Sequence, residues 1–281
     1  MSALEQLALA AQALGLSLRE LRAGRQWVPW LALGALQFAA LMALLAFAHP
    51  LLAWAVAPLV RAIGGESALH YPDFYRSLPF VYSRVDLVVG SLGGAVATGW
   101  STLLFAARWH RRAMGPGEAW AQTGPRALTL VLAQLPFQLL VLLFTTLVER
   151  SLAGSGGLAR RLGYFVELGG VVGLQALFLY VPARVVLEGH GLWRALAGLP
   201  RAWARGFWAA LLLGLVALLP LLPLDALGQR SELLVDRGAP ELVAWRTAMQ
   251  LLVGLAVSFV LAGSSTLVYL GAVADDAGEE R

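Results

Sequence analysis

Long apolar runs separated by short polar stretches dominate the pattern along the chain. An α-helix needs about 20 apolar residues to cross a hydrocarbon core about 30 Å thick. Six runs approach or exceed that length, at residues 28–48, 85–107, 127–148, 163–181, 207–224 and 243–273. Because lipid offers no hydrogen bonds to peptide groups, such runs have to be helical. The pattern predicts an all-α fold, a polytopic six-helix transmembrane bundle.

A seventh apolar run, residues 51–63, is too short to cross a bilayer and contains Pro58 and Arg61. It predicts an interfacial or re-entrant helix that begins after Pro50 and ends at the following pair of glycines.

Residues 66–83, the longest polar connection, are rich in tyrosine and phenylalanine. Rings with a polar tip favour the headgroup level of a membrane. We therefore expect the interfacial helix and an aromatic loop to fill residues 50–84 on the outer side. In this interpretation Tyr71, Asp73 and Arg76 contact the outer leaflet.

Similar glycine-led segments precede the first, third and fifth apolar runs and begin at Gly15, Gly115 and Gly191. Each has the length of one to two helical turns. The repetition indicates three tandem helical hairpins, each preceded by a short interfacial helix. The alternative is a chance similarity among segments rich in glycine, alanine and leucine.

Residues 1–27 lack the basic start and cleavage pattern of a secretory signal. Ser2 with Glu5, and Ser17 with Glu20, each fit the spacing of a helix capping box. We expect a cytoplasmic interfacial helix that turns at Gly15. The transmembrane domain would then cover residues 28–274, followed by an acidic cytoplasmic tail at 275–281.

Composition supports a lipid environment, with 59% hydrophobic residues, 14% charged residues and a mean hydropathy of +0.70. A soluble domain has roughly 25% charged residues. The chain lacks cysteine, which excludes disulfides and thiolate metal sites. Although the net charge is +4, no run of five basic residues occurs, so we expect a lipid bilayer and no nucleic acid as partner.

Arginine placement predicts the orientation, because cytoplasmic loops of membrane proteins carry more basic residues. With the N-terminus inside, the inner side receives twelve arginines and the outer side nine. Arg108, Arg111 and Arg112 form the clearest cluster, directly after the second run. We expect a bacterial inner (plasma) membrane with both termini in the cytoplasm.

Three acidic residues lie near the outer ends of the apolar runs, and their burial in lipid is costly unless they are paired or hydrated. Asp86, Glu167 and Asp225 are therefore candidates for an outward-facing polar site for a cation, a proton or a lipid headgroup. The alternative is that each side chain reaches the interface and pairs with a loop charge.

Amides inside the runs are a second set of candidates. Gln134 and Gln138 lie four residues apart on one helix face, on either side of Pro136, and are compatible with a transport path. Amides also join transmembrane helices by hydrogen bonds, which is the competing interpretation. The other amides within the runs are Gln37, Gln175 and Gln250.

No nucleophile, metal-ligand or cofactor motif is visible, and the four histidines are isolated in sequence. We therefore expect a non-enzymatic protein without metal or cofactor, acting as a scaffold or accessory subunit with a protein partner in a membrane complex. One alternative is a transporter or permease subunit that uses the outer acidic positions. The other is an intramembrane enzyme that handles lipid.

Two segments carry a resemblance to known proteins: Val186-Leu-Glu-Gly-His-Gly-Leu-Trp-Arg-Ala-Leu and the closing Ser265-Thr-Leu-Val-Tyr269. They resemble the loop after the fourth span and the last span of a loose group of six-span bacterial membrane proteins of unknown role. That group includes the membrane domain joined to some glycerophosphoryl diester phosphodiesterases. The resemblance implies architecture and no catalytic residue. The aromatic stretch 66–83 departs from the pattern.

Overall fold

The computed structural model describes residues 1–152, 156–228 and 231–273, and within these ranges regular structure is helical, without strands. Six helical segments of the described chain are long and apolar enough to cross a membrane. Numbered as spans 1 to 6, they are Gly24–Leu45, Asp73–Trp109, Pro116–Leu152, Leu162–Val186, Leu199–Leu218 and Glu241–Ala272. The predicted all-α class with six spans is confirmed. The predicted tail at 275–281 lies outside the described residues.

The α-helices are numbered in chain order. They are α1 (Ala3–Arg19), α2 (Val28–Leu45), α3 (Pro50–Gly64), α4 (Asp73–Trp109), α5 (Pro116–Thr123), α6 (Ala127–Leu152), α7 (Gly157–Phe178), α8 (Val181–Val186), α9 (Leu192–Ala197), α10 (Leu199–Leu218), α11 (Leu222–Gly228), α12 (Ser231–Asp236) and α13 (Glu241–Val268).

The chain divides into two compact units. Unit one contains the described residues of Met1–Pro29, Ala95–Ala217 and Phe259–Arg281, and unit two contains those of Trp30–Gly94 and Leu218–Ser258. The boundaries fall near the start of α2, near the end of α10 and in the interior of α4 and α13, so each of these last two helices contributes a substantial part to each unit.

Unit one has a core in which α1, α7, α10 and the end of α13 meet. Tyr180 and Tyr269 are fully buried there, with ring centroids 5.9 Å apart. The Tyr180 hydroxyl donates a hydrogen bond of 2.8 Å to the Gly206 carbonyl oxygen, so this buried polar atom is satisfied. A second cluster of the same unit joins α6, α8 and α9 around Leu130 and Val185.

Unit two has its core where α2, α3 and the first part of α4 pack together. Leu41, Val60, Leu78 and Val81 are almost fully buried in this cluster. The α3 helix begins with His49 as N-cap and ends before Gly65, whose φ of 81° suits glycine. The short apolar helix predicted at 51–63 is therefore present.

The predicted loop at 66–83 is wrong in its second part, because α4 begins at Asp73. Phe74, Leu78, Val81 and Tyr82 repeat at helical spacing, and all four are buried in the core of unit two. This apolar stripe sustains a helix across a segment whose charges and proline had suggested a connection.

Two other boundaries differ from the prediction. The Ser2–Glu5 capping box forms, but α1 continues through Gly15 to Arg19. Ser17 is fully buried within the helix and does not cap a second one. Span 5 begins at Leu199 and ends at Leu218, earlier at both ends than residues 207–224, which leaves Asp225 in the separate helix α11.

Helices also form at the three segments of the predicted repeat: α1 and α9 precede spans 1 and 5, and the short helix α5 is the first part of span 3. The α5 helix has Gly115 as N-cap and proline at its first position, and α9 has Gly191 as N-cap. Spans 3 and 4 pack as a hairpin in unit one, where the Phe137 and Phe178 rings lie 5.8 Å apart.

The contact between α6 and α7 gives a test of this packing. A methyl group at Gly170 would collide with the Phe144 ring, whereas nothing lies within 4 Å of the same position at Gly169. We expect Gly170→Ala to destabilise the protein by about 1–3 kcal/mol through overpacking. Gly169→Ala should be neutral or stabilise the helix by up to about 1 kcal/mol. Thermal unfolding in detergent, followed by tryptophan fluorescence, measures both, and equal effects would contradict the packing.

Candidate functional site

A carboxylate and an amide meet in the interior of unit two. The Gln37 Nε2 atom on α2 donates a hydrogen bond of 2.7 Å to Asp86 Oδ1 on α4. The two helices approach closely because α4 carries Gly93 opposite α2, where an added methyl group would lie 2.6 Å from a Leu33 methyl. This close approach allows the short aspartate side chain to reach the other helix.

The position of Gln37 along α2 gives the depth of this pair. Gln37 is the tenth residue of the 18-residue helix α2. At a rise of about 1.5 Å per residue it lies about 13 Å from either end of the helix. The Asp86 carboxylate that it contacts is therefore near the middle of span 1, where a bilayer core would be driest.

Two polar atoms at this site, one in Gln37 itself and one in the nearby Tyr82, have no hydrogen-bond partner. Gln37 Oε1 and the Tyr82 hydroxyl are buried without a hydrogen bond, in side chains that are each 8% exposed. Tyr82 precedes Asp86 by one helical turn and lies within electrostatic range of it. A buried polar group without a partner costs about 1–3 kcal/mol, so these two atoms require an explanation.

Asp225 belongs to a different network in unit two. Arg246 Nε donates to the Leu224 carbonyl oxygen at 3.0 Å, and Arg246 Nη2 donates to Gln250 Oε1 at 2.9 Å. Gln250 Nε2 in turn donates to Asp225 Oδ1 at 3.0 Å. Burial raises the pKa of the Asp225 carboxyl, and the positive charge of Arg246 opposes that rise. This chain of contacts ties α11 to α13.

The remaining candidates lie in unit one. Gln134 and Gln138 are half-buried on α6, and the described residues provide no hydrogen-bond partner for either amide. Glu167 is half-buried on α7, within electrostatic range of Glu149 on α6. The acidic candidates of unit two, Asp86 and Asp225, engage different partners.

The outer-loop candidates form ion pairs at the start of α4. Arg76 binds Asp73 at 3.0 Å and Asp236 at 2.5 Å, and the exposed Tyr71 donates a 3.4 Å hydrogen bond to Glu241. An open cavity of about 450 Å³ is lined by Ser67, Asp73, Arg76 and Ser77. Local desolvation and the negative charge of Glu241 raise the pKa of Tyr71. Contact of these residues with the outer leaflet stays a prediction.

A further polar cluster in unit one lies in the segment that carried the family resemblance. Glu188 accepts a short hydrogen bond from the Tyr269 hydroxyl, lies 2.8 Å from His190 Nδ1, and is 3.6 Å from Arg184. Sequence alone shows the four-residue spacing of Arg184 and Glu188. The contact with Tyr269 joins residues 81 positions apart and has no local signal.

The described residues contain no group of three or more histidine, cysteine, aspartate or glutamate side chains that could hold a metal ion. The fold and its apolar spans define a multi-pass membrane protein. Compared with known protein families, curated proteins and solved structures, the chain has no match. The resemblance to the phosphodiesterase-linked membrane domain therefore stays an expectation.

The Asp225 network predicts a pH dependence. Because the pKa of Asp225 is raised in the folded protein, this group favours folding most at low pH, and that contribution is lost as the pH rises through the raised pKa. Asp225→Asn keeps an acceptor for Gln250 without the charge. We expect its melting temperature to equal or exceed that of the wild type near pH 7.5, with a difference that shrinks as the pH falls towards about 4.

Asp225→Leu is the matched control for this series. It removes the acceptor, so it should lower the melting temperature at every pH. A loss of stability in Asp225→Asn near neutral pH would show that the negative charge itself holds α11 in place.

Proposed function

We propose that the protein is a non-enzymatic scaffold or accessory subunit of a complex in a bacterial inner membrane. The observation that supports this proposal is the sparse packing of span 3. Only 11% of its most apolar stretch is buried within the protein, compared with 56% for span 6. Leu128, Leu139, Leu143 and Leu147 on this span are each more than half exposed. A surface of this kind meets either acyl chains or the helix of another membrane protein.

The two amides of α6 favour a protein helix over lipid. Gln134 and Gln138 lack hydrogen-bond partners within the described ranges, and acyl chains provide none. Pro136 between them has no N–H, which leaves the Leu132 carbonyl without its helical partner. Hydrogen bonds between transmembrane helices contribute about 0.6–2 kcal/mol each. We therefore infer that the partner presents a transmembrane helix with polar side chains to this edge of α6.

Variants of the two amides test this docking edge. Gln134→Leu with Gln138→Leu removes both polar groups while keeping the helix apolar. We expect the double variant to retain its fold and to bind its partner on the order of tenfold or more weakly. The reason is that it loses two hydrogen bonds of about 0.6–2 kcal/mol each, and about 1.4 kcal/mol corresponds to a tenfold change in affinity. The measurement is quantitative mass spectrometry of proteins that co-purify with the tagged protein in mild detergent.

Thr146→Val is the matched control on the same helix. The Thr146 hydroxyl donates to the Leu142 carbonyl oxygen of its own helix at 2.7 Å, so its loss should not affect a partner. Equal recovery of the partner by the double variant and the wild type would contradict the proposal that the partner binds α6 at Gln134 and Gln138. Absence of a stoichiometric protein partner from the wild-type preparation would contradict the subunit role.

The proposed orientation places both termini in the cytoplasm. Arg108, Arg111 and Arg112 at the end of span 2 support it, since basic residues are enriched on that side. Reporter fusions after Arg112 and after Gly65 should report opposite sides of the membrane, with Arg112 inside. Fusions on the same side, or an outer Arg112, would contradict this topology.

A transport component is the second candidate function. It is favoured by the contact between Asp86 and Gln37, because ionisable groups within spans often mark ion or proton pathways. The sparse packing of span 3 neither supports nor opposes a transport function.

A further inference from the structure

The pair formed by Asp86 and Gln37 lacks one hydrogen-bond donor, which a proton on the carboxylate would supply. In the ionised state both carboxylate oxygens are acceptors only, and the amide of Gln37 can satisfy them through its N–H group alone. Its other end, Oε1, then faces the interior of unit two with no donor. Within the described part of the chain, no arginine forms an ion pair with Asp86 that would neutralise the carboxylate.

We propose that Asp86 and Gln37 form a proton-binding site inside the bilayer, in which the protonated carboxyl and the amide exchange two hydrogen bonds. The amide N–H donates to Oδ1, as observed, and the new Oδ2–H bond donates to Gln37 Oε1. The proton comes from a hydronium ion, which is left as water, and no bond of the protein breaks. This site does not depend on the proposed partner of span 3.

The surroundings of Asp86 fit a site that exists in both protonation states. An added methyl group at Gly90 would lie 2.9 and 3.0 Å from the two carboxylate oxygens, so glycine leaves the space that the carboxyl occupies. Tyr82, whose buried hydroxyl has no partner, is placed one turn away to donate to the carboxylate when the proton leaves. The neutral carboxyl thus has Gln37 Oε1 as its acceptor, and the ionised carboxylate has the Tyr82 hydroxyl as an additional donor.

Four other charged groups among the described residues of unit two have contacts of their own. On α4, Arg84 lies over the Phe80 ring with its guanidinium carbon 5.0 Å from the ring centroid. On α3, Arg61 pairs with Glu66 at 2.6 Å. On α13, Arg246 binds Gln250, and Glu241 accepts from Tyr71. Gln37 is the polar group that α2 directs to Asp86.

A hydrophobic carbodiimide tests the site, because such reagents modify protonated carboxyls in apolar surroundings. The full-length protein in lipid nanodiscs is treated across a pH series, and modified residues are mapped by peptide mass spectrometry. We expect Asp86 to react about tenfold or more faster than the exposed, arginine-paired Asp73, with a rate that falls about tenfold per pH unit once the carboxyl is mostly ionised. Labelling of Asp86 no faster than Asp73, or independent of pH, would overturn the proposal.

The same labelling experiment with sodium tests whether the site binds a metal cation in place of a proton. Sodium chloride and choline chloride at equal ionic strength should give equal labelling of Asp86 if the site takes a proton alone. Protection of Asp86 by sodium at constant pH would show a metal cation on the carboxylate and would overturn proton specificity.

The reciprocal hydrogen bonds have their own spectroscopic signature. Infrared difference spectra between low and high pH should contain a carbonyl stretch of protonated Asp86 that is absent from Asp86→Asn. In Gln37→Leu this band should move to higher frequency, because the neutral carboxyl loses both hydrogen bonds to the amide. A band at the same frequency in Gln37→Leu would show that Gln37 does not pair with the acid. Gln250→Leu, which changes an amide of the Asp225 network, is the control and should leave the band in place.

Discussion

The need to satisfy polar groups without water governs this structure. A membrane interior offers no hydrogen bonds to peptide groups, so the chain meets that need inside each helix. The same constraint extends to polar side chains within the spans. The hydroxyls of Thr102, Thr247 and Ser264 each donate to a carbonyl oxygen one turn earlier in their own helix. Polar residues handled in this way add no requirement for a partner.

Side chains with more donors and acceptors need contacts between helices. Arg126 donates to the carbonyl oxygens of Val185 and Val186 at 3.2 and 2.7 Å, and so caps the end of α8 in unit one. Arg246 plays the equivalent part in unit two by linking α11 to α13. Against this background two sets of unpaired atoms are informative. An additional proton is expected at Gln37 Oε1, and an additional protein is expected at the amides of α6.

The number of spans could be predicted from sequence because it depends on the length of apolar runs, which is a local property. The start of α4 was missed because Arg76 and Pro79 obscured a helical stripe whose burial depends on α2 and α3. Asp86 and Gln37 could each be identified as a polar residue in an apolar run, but 49 residues separate them and only the fold pairs them. Likewise, the spacing of Glu188 from Arg184 could be read from the sequence, but its contact with Tyr269 could not.

The central claim is that these helices lie in a bilayer with their apolar faces against lipid. The absence of cysteine allows single spin labels to be introduced without removing native thiols. The most direct measurement is the collision of such labels with oxygen and with a water-soluble nickel complex, at the exposed positions Leu36, Leu139 and Leu252. The account predicts frequent collisions with oxygen and few with nickel at all three. Ready access of nickel to these positions in lipid bilayers would contradict it.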